Sequence, residues 1–257
     1  MISLPPLPRV TATRYVQPLR EGGSLPAVVD TDDGLYVVKF RGAGQGPKAL
    51  VAELLVGLIA RLLGLPVPPL ALVDLPAPFG RSEPDPEIQD LLRASHGVNV
   101  GLRYLDGAFN FDCTAAADLV TAEFASRLVW LDALVTNPDR THRNPNLLVW
   151  QRRLWLIDHG AALYLQHGAD ALAPLARRPF PAIREHVLLG AAGSIAAADA
   201  RNAPRLDDAV LEAVVGAVPA DWLGGEERRA DYVTYLRDRL DAPRAFAEEA
   251  EDARTGA

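Results

Sequence analysis

The amino-acid sequence predicts an α+β fold in two lobes, a small β-rich one followed by a larger, mainly helical one. Three observations predict it. Short apolar runs punctuated by Gly, Pro and Asp make up the first part, Asp106-Gly107 breaks the pattern, and long runs of helical spacing and Ala-rich segments follow. The chain of 257 residues is long enough for two lobes sharing a cleft, and a hydrophobic share of 49% is ample for a packed core.

The elements follow in order. Val28-Val29, the turn Thr31-Asp32-Asp33-Gly34 and the run Leu35 to Phe40 read as strand, tight turn and strand, with Asp-Gly as the hairpin signal. Gly42 to Gly46 is a loop. From Pro47 to Leu63 the apolar positions Val51, Leu54, Leu55, Leu58, Ile59 and Leu62 keep helical spacing, with Gly64 as the C-cap and Pro66 beyond it. Pro68 to Leu75 reads as a strand. Residues 76–90, with four prolines and several acids, read as a surface insertion or mobile loop. Val98 to Leu105 is a further strand. Ala116 to Val135 reads as one long apolar helix ending at Thr136-Asn137-Pro138. Leu147 to Trp150 and Leu154 to Ile157 form a second hairpin through Gln151-Arg152-Arg153. The rest is helical, and residues 248–257 read as a frayed acidic tail.

Charge and special residues narrow the function classes. A net charge of −7 and a pI near 5.3 give no basic field for nucleic acid or an anionic membrane. The single Cys113 and the absence of a basic-then-apolar leader in residues 1–8 predict a reducing, cytoplasmic setting. No apolar run reaches the length of a membrane span. Of the 26 basic residues, Lys39 and Lys48 alone are lysines. A lysine kept inside the apolar run Tyr36-Val37-Val38-Lys39-Phe40 points to a need for a compact ammonium there. The histidines show no i, i+4 pair, which argues against a zinc site.

The segment 132–160, DALVTNPDRTHRNPNLLVWQRRLWLIDHG, carries the chemistry. Asp139 stands in a loop after a buried helix, five residues before Asn144. A hairpin follows, and Asp158 stands where its second strand ends. Antiparallel pairing brings the Asn144–Asn146 region to face Asp158. One carboxylate and one amide oxygen suit a hard cation held against phosphates, with a second carboxylate free to orient or deprotonate an attacking hydroxyl. Asp132, one helical turn before the loop, is placed to brace it.

The order Asp-x₄-Asn, short hairpin, Asp-x-Gly resembles the catalytic and metal-binding loops of protein kinases. With Asn137-x-Asp139-Arg140, in which Arg follows the Asp, it is more similar to HipA-type kinases and phosphatidylinositol kinases. The blocks DGLYVVKF, AELL…GLPVP, NPDR…NPNLL and IDHG resemble the HipA-like kinase family most. The resemblance spans about residues 15–165 and implies a two-lobed protein-kinase-like fold: an N-lobe in residues 1–102, a hinge at 103–108 and a helical C-lobe in 109–257. It further implies ATP and Mg²⁺ as cofactors, with Asp139, Arg140, Lys39 and Glu53 in catalysis and Asn144 and Asp158 on the metal. Gly22, Gly23 and Ser24 would form the phosphate loop, where such a serine is a modification target, and Arg103, Tyr104 and Leu105 the strand and hinge against the nucleotide. The pattern departs from ordinary protein kinases in three ways: no G-x-G-x-x-G, His159 in place of the Phe of Asp-Phe-Gly, and no Ala-Pro-Glu after Asp158.

The implied activity is transfer of the γ-phosphoryl group of ATP to a hydroxyl acceptor, first a Ser/Thr of a protein, with neither nucleic acid nor membrane as partner. A small-molecule or lipid-like alcohol, AMP transfer and a non-catalytic nucleotide-binding scaffold are the alternatives. The intact set Lys39, Asp139, Asn144 and Asp158 argues against the scaffold.

Overall fold

The computed structural model describes residues 4, 6–19, 25–77, 79–81, 83–168 and 171–256. The expected phosphate loop, Gly22, Gly23 and Ser24, lies outside them. Five strands close into a barrel in the order β1-β2-β3-β5-β4: β1 (Arg9–Pro18), β2 (Ala27–Thr31), β3 (Gly34–Lys39), β4 (Leu70–Leu75) and β5 (Gly97–Arg103). The expected hairpin forms, with Thr31 opposite Gly34 and Ala27 opposite Val38. Gly34 sits at φ +99°, a backbone conformation that an L side chain rarely adopts. β1 supplies the closure. It pairs antiparallel with β2 and parallel with β4, which leaves neither edge open.

Helix α1 (Gly46–Leu62) lies between β3 and β4 in the chain and matches the expected helix 47–63 to within a residue. It is buried all round from Ala49 to Ala60, so it has no polar face to turn to water. It packs on β4 and β5 and also on α5 (Asp208–Gly216) and α6 (Ala220–Leu223). Its apolar side chains therefore belong to the larger hydrophobic cluster, and the barrel interior, with Val10, Val29, Tyr36 and Val73, forms a smaller one.

Three expectations are corrected. Residues 76–90 are not a loop throughout, because α2 (Pro86–Ala94) begins there and buries Ile88 and Leu92. Asp85 caps it by accepting from Glu87 N at 3.0 Å, and Pro86 takes the first helical position, where its missing N–H does no harm. The long helix 116–135 is shorter. A 3₁₀ turn at Ala117–Leu119 precedes α3 (Ala122–Leu134), which starts where the Thr121 hydroxyl accepts from Phe124 N. Residues 248–255 are not a frayed tail: α8 (Ala245–Thr255) buries Phe246, Ala247 and Ala250, and Phe246 packs edge-on against Trp130 at 5.5 Å. The spacing of those three residues is helical, but the surrounding acids masked it.

The second hairpin matches the sequence. β7 (Leu147–Trp150) pairs with β8 (Arg153–Leu156), and β6 (Phe109–Asn110) adds a third strand beside β7. The two-residue turn is Gln151-Arg152, both left-handed at φ 49° and 57°. α4 (Ile195–Asn202) and α7 (Glu226–Leu240) complete the helical part, packing with α3, α5 and α8. Among the described residues, no helix is long and apolar enough to cross a membrane.

Candidate active site

Lys39 is the last residue of β3, on a strand that ends against α1. Its Nζ lies 2.6 Å from Glu53 Oε2 and 2.5 Å from Asp158 Oδ1, joining a barrel strand, a buried helix and the end of the β7–β8 hairpin. Glu53 is wholly buried in an apolar helix and has to be compensated. The same Oε2 also accepts the His159 backbone N–H at 2.7 Å. Burial alone would lower the pKa of Lys39, but Glu53 and Asp158 outweigh it and raise it, so the ammonium stays charged. Burial pushes the Glu53 carboxyl up, while Lys39 and the His159 N–H oppose it. For Asp158, burial would raise the pKa, but Lys39 holds it below the ordinary carboxylate value. The Asp158 side chain keeps 35% of its surface exposed, enough to reach a ligand. Gly160 makes the crossing tight, since a Cβ there would stand 3.4 Å from Lys39 Nζ.

The second group forms on the loop after α3. Asp139 Oδ2 accepts from Asn144 Nδ2 at 2.9 Å and from Asn146 Nδ2 at 3.1 Å. With its amide nitrogen so engaged, Asn144 keeps its amide oxygen free of hydrogen bonds among the described residues. The loop shape comes from an Asx turn, in which Asn137 Oδ1 accepts from Asp139 N at 3.2 Å. As the sequence predicts, the two strand ends meet, with Ile157 N donating to Asn146 O at 3.1 Å. Thr136, Asn146 and Asp158 all hold left-handed backbone, at φ 49°, 49° and 54°. Each such residue costs of order 1–3 kcal/mol and persists only where its surroundings enforce it. A hard divalent cation fits this donor set: the Asp158 carboxylate and the Asn144 amide oxygen are both oxygen donors, and neither is sealed from solvent.

A buried ionic brace holds the two groups in place. Asp132 Oδ2 accepts from Arg140 Nε at 2.6 Å and from His186 Nε2 at 3.0 Å, and its Oδ1 accepts from Asn137 Nδ2 at 3.0 Å. Arg140, which the family pattern places among the catalytic residues, is only 1% exposed and its fork is spent inward. It reaches Asp132, the Asn146 carbonyl at 2.5 Å and His159 Nδ1 at 3.2 Å. Asp132 is buried, which would raise its pKa, but Arg140, His186 and Asn137 hold it well below the ordinary value. His186 is neutral: its Nδ1 accepts from Leu188 N, and burial lowers its pKa. Burial and then Arg140 push His159 down to about 3.

These histidines give the fold an acid limit. The unfolded chain takes up protons near the ordinary histidine value of 6.5, while folded His159 does so only near 3. A group whose pKa is lower in the fold stabilises it above the unfolded value and loses that contribution as pH falls. His186, and Asp132 at still lower pH, act with the same sign. Melting temperature is therefore expected to fall steadily below about pH 6.5, well before most carboxylates titrate. A thermal-melt series at fixed ionic strength checks it, and a flat profile down to about pH 5 contradicts it.

The remaining candidates are placed less directly. Arg103 turns away from the Lys39 cluster: its guanidinium bonds the Asp33 carboxylate and carbonyl and lies 4.7 Å over the Tyr36 ring. Tyr104 N is used within the barrel, on Leu35 O, whereas the Leu105 N–H donates to no backbone carbonyl among the described residues. No spacing in the sequence points to His186, which lies 54 residues from its partner Asp132. A cavity of about 330 Å³ lies between the segment 176–184, Arg239 of α7 and α8, and includes none of these residues.

The family model of the HipA-like kinases matches residues 14–242. No curated protein matches the chain. Among solved structures, the proinflammatory kinase CtkA of Helicobacter pylori has a similar fold, with a TM-score of 0.63 at 15% identity over 95% of this chain and 99% of that one. A match over most of the length, from the barrel strands through the helical part, places this chain in the HipA-like kinase family, among the ATP-dependent kinases.

Proposed function

We propose that the chain is a two-lobed kinase, residues 1–102 and 109–257 about a hinge at 103–108, that binds Mg²⁺·ATP in the cleft and phosphorylates a Ser/Thr hydroxyl of a protein. The reading rests on one observation above all: Glu53 and Asp158, 105 residues apart in sequence, both reach the Lys39 ammonium, at 2.6 and 2.5 Å. Glu53 holds the ammonium of Lys39 at the end of its strand, from which it would contact the α/β-phosphates. Asp158 and the Asn144 oxygen would hold the metal, which would supply charge neutralisation for the phosphates. Asp139, oriented by Asn144 and Asn146, accepts or directs the proton of the attacking hydroxyl. Arg140 positions the loop from beneath and touches no substrate. The hinge offers the Leu105 N–H toward the nucleotide base, while the Arg103 side chain anchors the hinge to the β2–β3 turn. The exposed thiol of Cys113 fits a reducing, cytoplasmic setting. Incubation of the purified protein with γ-labelled ATP and Mg²⁺ tests the activity. Nucleotide binding without transfer or hydrolysis would overturn it in favour of a scaffold.

Two substitutions separate the roles. Lys39→Arg is expected to be nearly as harmful as Lys39→Ala, because the fork is larger than the ammonium and Gly160 and Ala49 close the site around Nζ. Turnover at the wild-type level in Lys39→Arg would sink the assignment. Asp158→Asn is expected to abolish the increase in nucleotide affinity that Mg²⁺ brings, a change of at least about tenfold, or roughly 1.4 kcal/mol. Calorimetric titration with and without Mg²⁺ reads it, and an undiminished Mg²⁺ effect removes Asp158 from the metal site.

A further inference from the structure

His159 stands where ordinary protein kinases carry phenylalanine, and its imidazole is entirely buried. A guanidinium only donates, so the contact of Arg140 Nη2 with His159 Nδ1 at 3.2 Å makes Nδ1 the acceptor. The proton of the neutral ring then sits on Nε2, and Nε2 has no partner among the described residues. A buried donor left unpaired is destabilising, and a phenyl ring would fill the same space without that penalty. Packing therefore does not explain the histidine, whereas Nδ1 does. Through Nδ1 the residue grips Arg140, whose other nitrogens reach Asp132 and the Asn146 carbonyl beside Asp139. Through its backbone N–H it grips the Glu53 oxygen that receives Lys39.

We infer that His159 is a positioning residue, a polar bolt that fixes the Asp139 loop in register with the Lys39–Glu53 pair through its unprotonated Nδ1. The inference rests on the roles proposed for Asp139, Lys39 and Glu53. Arg140 carries the connection on one side and Glu53 on the other, so the base and the phosphate-binding lysine share one rigid path. A phenylalanine in this place keeps the backbone link to Glu53 and loses the link to Arg140. The expected result is a loop slightly out of register, with nucleotide still bound.

The test compares His159→Phe with His159→Asn, whose amide oxygen reaches the position of Nδ1 and keeps the acceptor. The Phe variant is expected to lose kcat by roughly 10- to 100-fold, the usual consequence of a small misplacement of catalytic groups, with KM for ATP within a few-fold of wild type. The Asn variant is expected to recover most of the loss. A Phe variant with wild-type kcat, or an Asn variant no better than Phe, overturns the proposal. The imidazole ¹⁵N spectrum of the wild-type protein gives a readout independent of turnover and of whether the Phe variant folds. An unprotonated Nδ1 and a protonated Nε2 near neutral pH support the link, and a protonated Nδ1 overturns it. Were the wild-type protein to transfer no phosphoryl group, the proposed activity would fall, and the spectrum would still decide the link to Arg140.

Discussion

Asp139→Asn is expected to bind Mg²⁺·ATP almost as the wild type does and to transfer almost nothing. Its carboxylate is placed by two amide donors on a single oxygen, at 2.9 and 3.1 Å, and is not part of the Lys39 cluster. Nucleotide affinity should therefore survive its neutralisation. A positioned acid–base group is worth about 10²- to 10⁴-fold in rate, or roughly 3–5 kcal/mol of transition-state stabilisation. The new amide has to turn its oxygen toward Asn144 and Asn146 to keep those bonds, which the partly exposed loop permits. Autophosphorylation or ATP hydrolysis, measured beside nucleotide titration and a melting curve, reads the three quantities separately. A variant that loses nucleotide affinity and turnover together would make Asp139 a structural turn residue.

The largest effect on stability is expected at a residue that touches no substrate. Asp132→Ala removes the anion facing Arg140, His186 and Asn137 and leaves a guanidinium with no exposed surface and no counter-charge. Breaking one side of a buried pair costs about 3–5 kcal/mol, because the remaining charge stays desolvated. For a chain of this size that is a fall in Tm of about 6–20 °C. The double variant Asp132→Leu/Arg140→Met is expected to recover much of the melting temperature while staying inactive. It removes both charges but also the hold on the Asn146 carbonyl. A single variant melting within about two degrees of wild type would show that the brace is dispensable for folding.

Much of the candidate site was legible in the sequence, because its parts are local. Asp139, Asn144 and Asn146 sit within eight residues, and the hairpin needs only a two-residue turn between strands of matched apolar pattern. Once that turn closes, Asp158 has to come back beside Asn146. Lys39 was legible for a different reason, as an ammonium in an apolar strand of an arginine-rich chain. Boundaries were less legible. Proline and acids between residues 76 and 90 read as a loop, although Asp85-Pro86 is also how a helix begins, and only the burial of Ile88 and Leu92 decides between the two.

The sequence by itself determined the hairpin that brings Asp158 back beside Asn146, the buried helix carrying Glu53 and much of the division between strands and helices. These follow from turn stereochemistry and residue periodicity, which act over a few residues. Tertiary structure alone decided the rest. The parallel pairing of β1 with β4 closes the barrel across 63 residues of chain, as in Thr11 opposite Asp74 and Val10 opposite Val73. Arg140 became a buried brace and not a group at the reaction centre, because His186, 54 residues along the chain, closes over the same Asp132 oxygen that accepts from Arg140 Nε. The acidic tail became a docked helix, because Trp130 offers Phe246 an apolar face. In each case the deciding term is the removal of charge or apolar surface from water by a partner far along the chain, and no spacing within a segment encodes where that partner will stand.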